Sequence, residues 1–395
     1  MNNQNNPNKP LKVPLIIFGI PFHNVSFETT LSWIKQTCKR RKSCLMATAN
    51  LDFALMASHD PEMKHILLEA DLCVADGMPI VWASGLLGPR LKERVTGSDL
   101  VPLIARMASK EGLRVFLLGG AEGVAEAAAK KLKKDNPKLE ICGIISPANI
   151  DFLNINNADI LAQLNASKPD ILLVALGAPK QEKWIRMNLK SWNIPLAIGV
   201  GASFDFLAGI QKRSPKFLGA IGLEWIWRLG TAPKRLAKRY SKDLLFLVNH
   251  LLQLLTIRLS PKLRYVQNSK NKIVISEYNG VSLTLHSIHD TTEAEKEMSR
   301  LIKLSSHKHM VIYPENDGWL NSAELGILLY LSNKCRYQKK HMILIIRSKR
   351  MDRLIHLQKL NTYFDCVTQY DEAIDILASK LNDEIRIKEQ DIWKF

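Results

Sequence analysis

Between residue 13 and about residue 210, short β-rich apolar runs alternate with longer amphipathic stretches, and this alternation constrains the fold more than any other feature. The runs VPLIIFGI, SCLMATA, DLCVA, LRVFLLG, LEICGII, DILLVALG and PLAIGVG have the length and content of buried strands. Between them, FETTLSWIKQTCKRR, PEMKHILLEA, GVAEAAAKKLKKD, ADILAQLNAS and PKQEKWIRMNL carry apolar residues at three-to-four spacing, the mark of helices with one buried face. The alternation predicts an α/β domain over 13–210, with a Rossmann-like parallel sheet covered by helices on both faces.

A chain of 395 residues is long enough for more than one core. From 211 to 265 the composition turns basic and aromatic, with Lys212, Arg213, Arg228, Lys234, Arg235, Lys238, Arg239 and Lys242 opposed only by Glu224 and Asp243. This stretch reads as a helical appendage. Residues 266–272 read as a polar linker, and 273–395 as a smaller α/β domain with strands over KIVISEY, VSLTLHS, HMVIYPEN, MILIIRS and FDCVTQY. Its helices are expected over TTEAEKEMSRLIKL, SAELGILLYLSNKC and EAIDILASKL. Residues 1–12 are polar and Asn-rich and read as a disordered tail without a secretory signal.

The formal net charge of +17 calls for an acidic partner, and nucleic acid, anionic lipid and phosphorylated substrates all satisfy it. No recognised nucleic-acid module is present, so nucleic acid is not expected. In the appendage, Trp225, Trp227 and Tyr240 interleave with the bases as in an interfacial helix, the plain alternative being a solvated basic face. The apolar run LLFLVNHLLQLLTIRL (244–259) is interrupted by Asn249, His250 and Gln253 and is shorter than the roughly 20 residues a spanning helix needs. It fits either an amphipathic helix or a buried domain contact. The six cysteines form no CxxC pair and no metal-ligand spacing, as expected of reduced thiols in a cytoplasmic protein.

Polar residues gather where predicted strands end, which is where open α/β sheets place their ligands. Thr48, Asn50 and Asp52 follow one strand, and Asp76-Gly77 follows another. Asn50 or Asp52 would also serve as a helix cap, and Asp-Gly as a plain turn. Gly119 and Gly120 lead into an Ala-rich helix whose free N–H groups suit a phosphate. Gly177, Lys180 and Gln181 offer a flexible turn, a cation and an amide together, and a fifth turn holds Gly199, Gly201 and Asp205, the last equally a cap. Such turns fit a phosphorylated or nucleotide ligand. An NAD-dependent oxidoreductase is disfavoured because no strand is followed by GxGxxG.

From 13 to about 245 the chain resembles the WecG/TagA/CpsF family of bacterial glycosyltransferases, glycosyltransferase family 26. The stretches that carry the resemblance are TANLDFALMASHDPEMKHILLEADLCVADGMPIVWASGLLG, ERVTGSDL, FLLGGAEG, LGAPKQEKW, GVGASFDFLAG and RSPKFLGAIGLEWIWRL. The resemblance implies an inverting, metal- and cofactor-independent enzyme on the cytoplasmic face of the membrane. It would transfer N-acetylmannosamine or its uronic acid from a UDP-sugar to a polyprenyl-diphosphate-linked N-acetylglucosamine. By the same resemblance Asp76 is the general base, and Thr48, Asn50, Arg94 and Gln181 lie at the substrates, with Gly119, Gly120, Gly177 and Lys180 as further binding positions. Arg228, Lys234, Arg235 and Arg239 would meet the membrane or the lipid diphosphate as the appendage closes over the site.

Residues 273–383 resemble, more weakly, a STAS domain, chiefly in NDGWLNSAELGILLYL. That implies a protein-binding or regulatory tail with Ser322 as a phosphosite. The pattern departs at Asn321 and Glu324, and a helix cap at Ser322 is the structural alternative. A catalytically silent scaffold is the second reading of the whole chain, and a homo-oligomer is left open.

Overall fold

The computed structural model describes residues 13–146, 157–211, 213–215, 224–231, 233–260, 280–285, 309–314, 319–369, 371–373, 375–377 and 379–380. They fall into two compact units, one of residues 20–86 and 90–247, the other of residues 13–19, 87–89 and the chain from 248 onward. Strand β1 (Leu15–Ile17) belongs to the second unit.

In chain order the first unit holds β2 (Ile20–Phe22), α1 (Phe27–Arg40), β3 (Cys44–Ala49), α2 (Leu51–His59), α3 (Pro61–Leu68) and β4 (Leu72–Ala75). Then follow α4 (Met78–Leu87), α5 (Gly97–Glu111), β5 (Arg114–Gly119), α6 (Val124–Asp135) and β6 (Glu140–Ile145). It continues with α7 (Asn157–Ser167), β7 (Ile171–Ala175), α8 (Lys180–Asn188), β8 (Leu196–Gly199), α9 (Ser203–Leu207), α10 (Glu224–Thr231) and the start of α11 (Pro233–Leu259). Six strands form one parallel sheet in the order β4-β3-β8-β7-β5-β6.

Period-two alternation divides each strand between two cores. Cys44, Met46, Val115, Leu117, Leu196 and Ile198 pack with residues of α1, α5 and α6. Leu45, Phe116, Leu118, Leu172 and Ala197 face the opposite side, with Ile66, Leu164, Trp184 and Ile185. The expected doubly covered sheet is therefore present. Ser26, Asn50, Asp60 and Thr96 cap the helices that follow them, each accepting a backbone N–H.

The second unit has its own parallel sheet, in the order β12-β11-β10-β9, of strands Gly280–Leu285 (β9), His309–Pro314 (β10), Met342–Ile345 (β11) and Asp365–Val367 (β12). Helix α12 (Ser322–Tyr337) is buried on every side over its first two turns, residues 322–329, and emerges to solvent at Arg336 and Tyr337, and α13 (Lys349–Leu357) follows. Strand β1 packs on α12 at Gly326, where a Cβ would lie 1.7 Å from the Pro14 carbonyl oxygen.

Three expectations are corrected. VPLIIFGI is not one strand, because Phe18 and Gly19 take left-handed backbone (φ 52° and 74°) and divide it into β1 and β2. The units divide at 247/248, within the continuous helix α11, and not at a linker, while β1 joins the second unit. Ser322 does not cap α12: Asn321 accepts from Ala323 and Glu324 N–H, and Glu324 accepts from Asn321 N–H. The two departures from the STAS pattern thus form a capping box. Ser322 is 1% exposed, its Oγ without a hydrogen-bond partner and closely packed on Gly88, so the expected phosphosite is enclosed. The tail, the linker, the strand over KIVISEY and the helix over TTEAEKEMSRLIKL lie outside the described residues.

Candidate active site

After β3 and β4 the chain crosses to β5 and β6, then returns through β7 and β8 to the free side of β3. Sheets that reverse their order in this way bind ligands outside the carboxyl ends of their strands. Asp76, Thr48 and Asn50, Gly199 to Ser203, Gly177 to Gln181, and Gly119 with Gly120 follow one another along that edge.

Asp76 directly follows β4, its N–H donating to the Ala49 carbonyl at 2.8 Å. Its carboxylate accepts from the Gly97 N–H at 3.2 Å, in the first turn of α5. An amide at a helix N-terminus orients a carboxylate. Asp76 is partly exposed, so it is both turn residue and presented group. Thr48 is buried and donates to the Gly199 carbonyl at 3.1 Å. Gly97 lacks a Cβ where one would lie 3.2 Å from Thr48 Oγ1 and 3.6 Å from Ser203 Oγ, so α5 approaches both strand ends closely. Asn50 caps α2 and lies beside Gly77. Thr48, Asn50 and Asp76 are therefore brought together as expected.

Gln181 is placed differently from its expected role. It is 2% exposed, accepting from the Gly201 N–H at 3.1 Å and donating to Glu182 Oε1 at 2.7 Å. It braces the floor of the site and does not face its opening. Glu182, unremarked in the sequence, is 1% exposed with Oε2 unpartnered, and burial pushes its pKa up to about 7. Gln181, Glu182 and Asn188 form a buried polar face of α8.

Gly119 is architectural. Its φ is +108°, and a Cβ would meet the Ala175 carbonyl at 2.6 Å. Gly120 donates to the Ala175 carbonyl at 3.0 Å, and Gly123 precedes α6 as an N-cap with no side-chain hydrogen bond, the Val124 N–H turning back to the Ala121 carbonyl at 3.0 Å. Gly177 (φ +76°) accepts from the Gln181 N–H, and Lys180 is exposed on the first turn of α8. Asp205 accepts from Gln211 Nε2 and closes the turn after α9, a structural role.

Arg94 pairs with Glu224 of α10 at 3.0 Å, both half-buried, so the guanidinium expected at a diphosphate holds a carboxylate of the appendage. Arg239 likewise pairs with Asp52 of α2 at 2.8 Å rather than standing free for lipid. Beside them Asp243 is buried with Oδ1 unpartnered, its pKa pushed to about 6 by burial and the Asp52 charge. Arg228, Lys234 and Arg235 lie on α10 and α11, their side chains outside the described residues. Among the described residues no group of His, Cys, Asp and Glu is arranged to hold a metal ion.

The doubly covered parallel sheet, with Asp76 at the end of β4, is an α/β framework whose ligand site lies at the carboxyl edge of its strands. The chain belongs to the WecG/TagA/CpsF glycosyl transferase family, whose pattern matches residues 15–260. It is 33% identical over 202 residues to the N-acetylglucosaminyldiphosphoundecaprenol N-acetyl-beta-D-mannosaminyltransferase of Bacillus spizizenii, covering 51% of this chain and 77% of that one. Proteins of the same name from Bacillus subtilis (28% identical over 226 residues, 57% and 86% covered) and Staphylococcus aureus (27% over 227 residues, 57% and 87%) are also similar to it.

Proposed function

We propose that the chain transfers N-acetylmannosamine, or its uronic acid, from a UDP-sugar to a polyprenyl-diphosphate-linked N-acetylglucosamine, with inversion and without a metal or other cofactor. The observation that carries the reading is Asp76, presented at the end of β4 and oriented by the Gly97 amide. In this mechanism its carboxylate removes the proton of the acceptor hydroxyl. The hydroxyl oxygen bonds to the anomeric carbon from the face opposite UDP, and the carbon–oxygen bond to UDP breaks with its electron pair going to the diphosphate. A positioned base contributes on the order of a hundredfold or more to such a step. The N-terminus of α6, whose cap residue Gly123 has no side chain to offer its amides, suits the leaving diphosphate together with Lys180. Arg94 would reach it on leaving Glu224.

The names of the relatives supply the sugar and the acceptor of the reading. An acceptor of that class supports contact with a membrane, which we place on the cytoplasmic side. The contact is also supported by exposed Leu244, Leu245, Val248, Leu252, Leu255 and Leu259 on α11, no described helix being long and apolar enough to span a bilayer. The second unit reads as a STAS-like protein-binding or regulatory domain, acting through surfaces other than the enclosed Ser322.

The test is transfer from a panel of UDP-sugars to a short polyprenyl-diphosphate N-acetylglucosamine, in chelator, by wild type and Asp76→Asn. Product from wild type that falls at least a hundredfold in folded Asp76→Asn is expected. Equal turnover by the variant would remove Asp76 as the base, and no product with any donor would favour a silent binding protein.

A further inference from the structure

Glu182 is a carboxyl with nothing to do in the reaction just described, yet it sits under the site at the cost of burying an acid. Its Oε1 accepts from Gln181 Nε2 at 2.7 Å, while Gln181 Oε1 accepts from the Gly201 N–H at 3.1 Å. Both side chains press on the end of β8, where a Cβ on Gly199 would lie 2.5 Å from Glu182 Oε1 and 2.6 Å from Gln181 Nε2. The same segment receives Thr48 Oγ1 at the Gly199 carbonyl and closes on itself where Ser203 Oγ donates to the Val200 carbonyl at 2.6 Å.

A primary amide has two ends of similar shape and opposite hydrogen-bonding character. The Gly201 N–H requires the oxygen end, but alone it leaves the NH2 end buried and unsatisfied. An acceptor at position 182 satisfies that end and makes the flipped amide doubly wrong, opposing two donors at Gly201 and two acceptors at Glu182. An apolar residue at 182 would remove this selection.

We propose that Glu182 is a positioning residue of the transferase. It fixes the amide orientation of Gln181, and through it the Gly199–Ser203 turn that supports Thr48 and α5 beside Asp76. The proposal rests on the glycosyltransferase reading for its catalytic consequence and on the hydrogen-bond chain alone for its structural one.

Glu182→Leu keeps the bulk and removes the acceptor, whereas Glu182→Gln keeps an acceptor oxygen. Hydrogen exchange of the 199–207 segment and steady-state transfer kinetics are measured on all three proteins. In Glu182→Leu, exchange at 199–207 is expected to quicken about tenfold, the worth of one buried hydrogen bond, while the β5–β6 pairing exchanges as in wild type. Its kcat should fall about tenfold with the donor KM within about threefold, and Glu182→Gln should recover both. A general loss of stability would instead quicken exchange throughout and leave kcat at permissive temperature unchanged. If Glu182→Leu does not fold, Gln181→Met, which breaks the same chain one residue earlier, is expected to loosen 199–207 in its place. Wild-type exchange at 199–207 in the substituted protein, or a Glu182→Gln as impaired as Glu182→Leu, overturns the proposal. If wild type transfers no sugar, the functional reading fails, and the exchange data still decide whether Glu182 positions the turn.

Discussion

Glu182 also ties stability to pH. Its folded pKa of about 7 stands above the ordinary 4.5, so the native state holds the proton more tightly than the unfolded chain. The resulting stabilisation is complete below about pH 4.5 and is lost as pH rises to about 7. His23 acts in the opposite sense: burial disfavours its charged form and lowers its pKa from 6.5 to about 4, so as pH falls through that interval the unfolded chain binds the proton first and stability is lost. Chemical denaturation of Glu182→Gln should therefore show a shallower decline between pH 5 and pH 8 than wild type, by up to about 3 kcal/mol. Parallel declines in the two proteins would mean that Glu182 is already ionised at pH 5. Individual residues were readable from sequence to an uneven degree. Asp76, Thr48 and Asn50 could be placed because strand ends locate them, and Asn50 proved to be a cap and a site neighbour at once. Glu182 could not, because helical periodicity registers apolar residues on the inward face, and here polar ones share it.

At the scale of elements, two glycines of the site edge separate architecture from exposure. Gly119 ends β5 against β7 with left-handed backbone, and a Cβ there would lie 2.6 Å from the Ala175 carbonyl carbon and oxygen. Gly177 has a similar backbone (φ +76°) with nothing within 4 Å of the Cβ position. Gly119→Ala should cost about 2–4 kcal/mol, strain plus a backbone clash, while Gly177→Ala should cost about 1–2 kcal/mol from strain alone. Urea midpoints of the two variants measure the difference, and equal losses would show that β5 and β7 can part without penalty. Both turns look alike in sequence, since a glycine's spelling does not say whether a second strand lies over it. Most strands of the first unit were readable because they carry short apolar runs, such as LCVA in β4 and ILLVA in β7. The division of VPLIIFGI was not, because Phe18 takes left-handed backbone with no local signal for it. Nor was the assignment of β1 to the second unit, which depends on Gly326 lying opposite Pro14, more than three hundred residues away in sequence.

For the whole molecule, the +17 charge leads to the expectation of an acidic partner but does not say which surface would meet it. Helix α11 buries Leu236, Asp243, His250, Leu254 and Ile257 along one line and exposes Leu244, Leu245, Val248, Leu252, Leu255 and Leu259 along another. The apolar run 244–259 is thus amphipathic, with one face buried and another exposed. Exposed Lys238 and Lys242 precede that stripe on the same helix. Apolar and electrostatic attraction to a lipid surface respond to different variables, the first to contact area and the second to ionic strength. Binding to vesicles containing anionic lipid should therefore weaken as salt is raised. The combined substitutions Leu245→Gln, Leu252→Gln and Leu255→Gln should weaken it about a hundredfold at every salt concentration, leaving the salt dependence unchanged. Lys238→Gln with Lys242→Gln should instead reduce the salt dependence and matter little at high salt. Vesicle sedimentation distinguishes the two sets of variants. If the leucine substitutions leave binding intact and instead shift the sedimentation of the protein alone, the stripe meets another protein surface, and the lipid contact falls to the basic side chains by themselves.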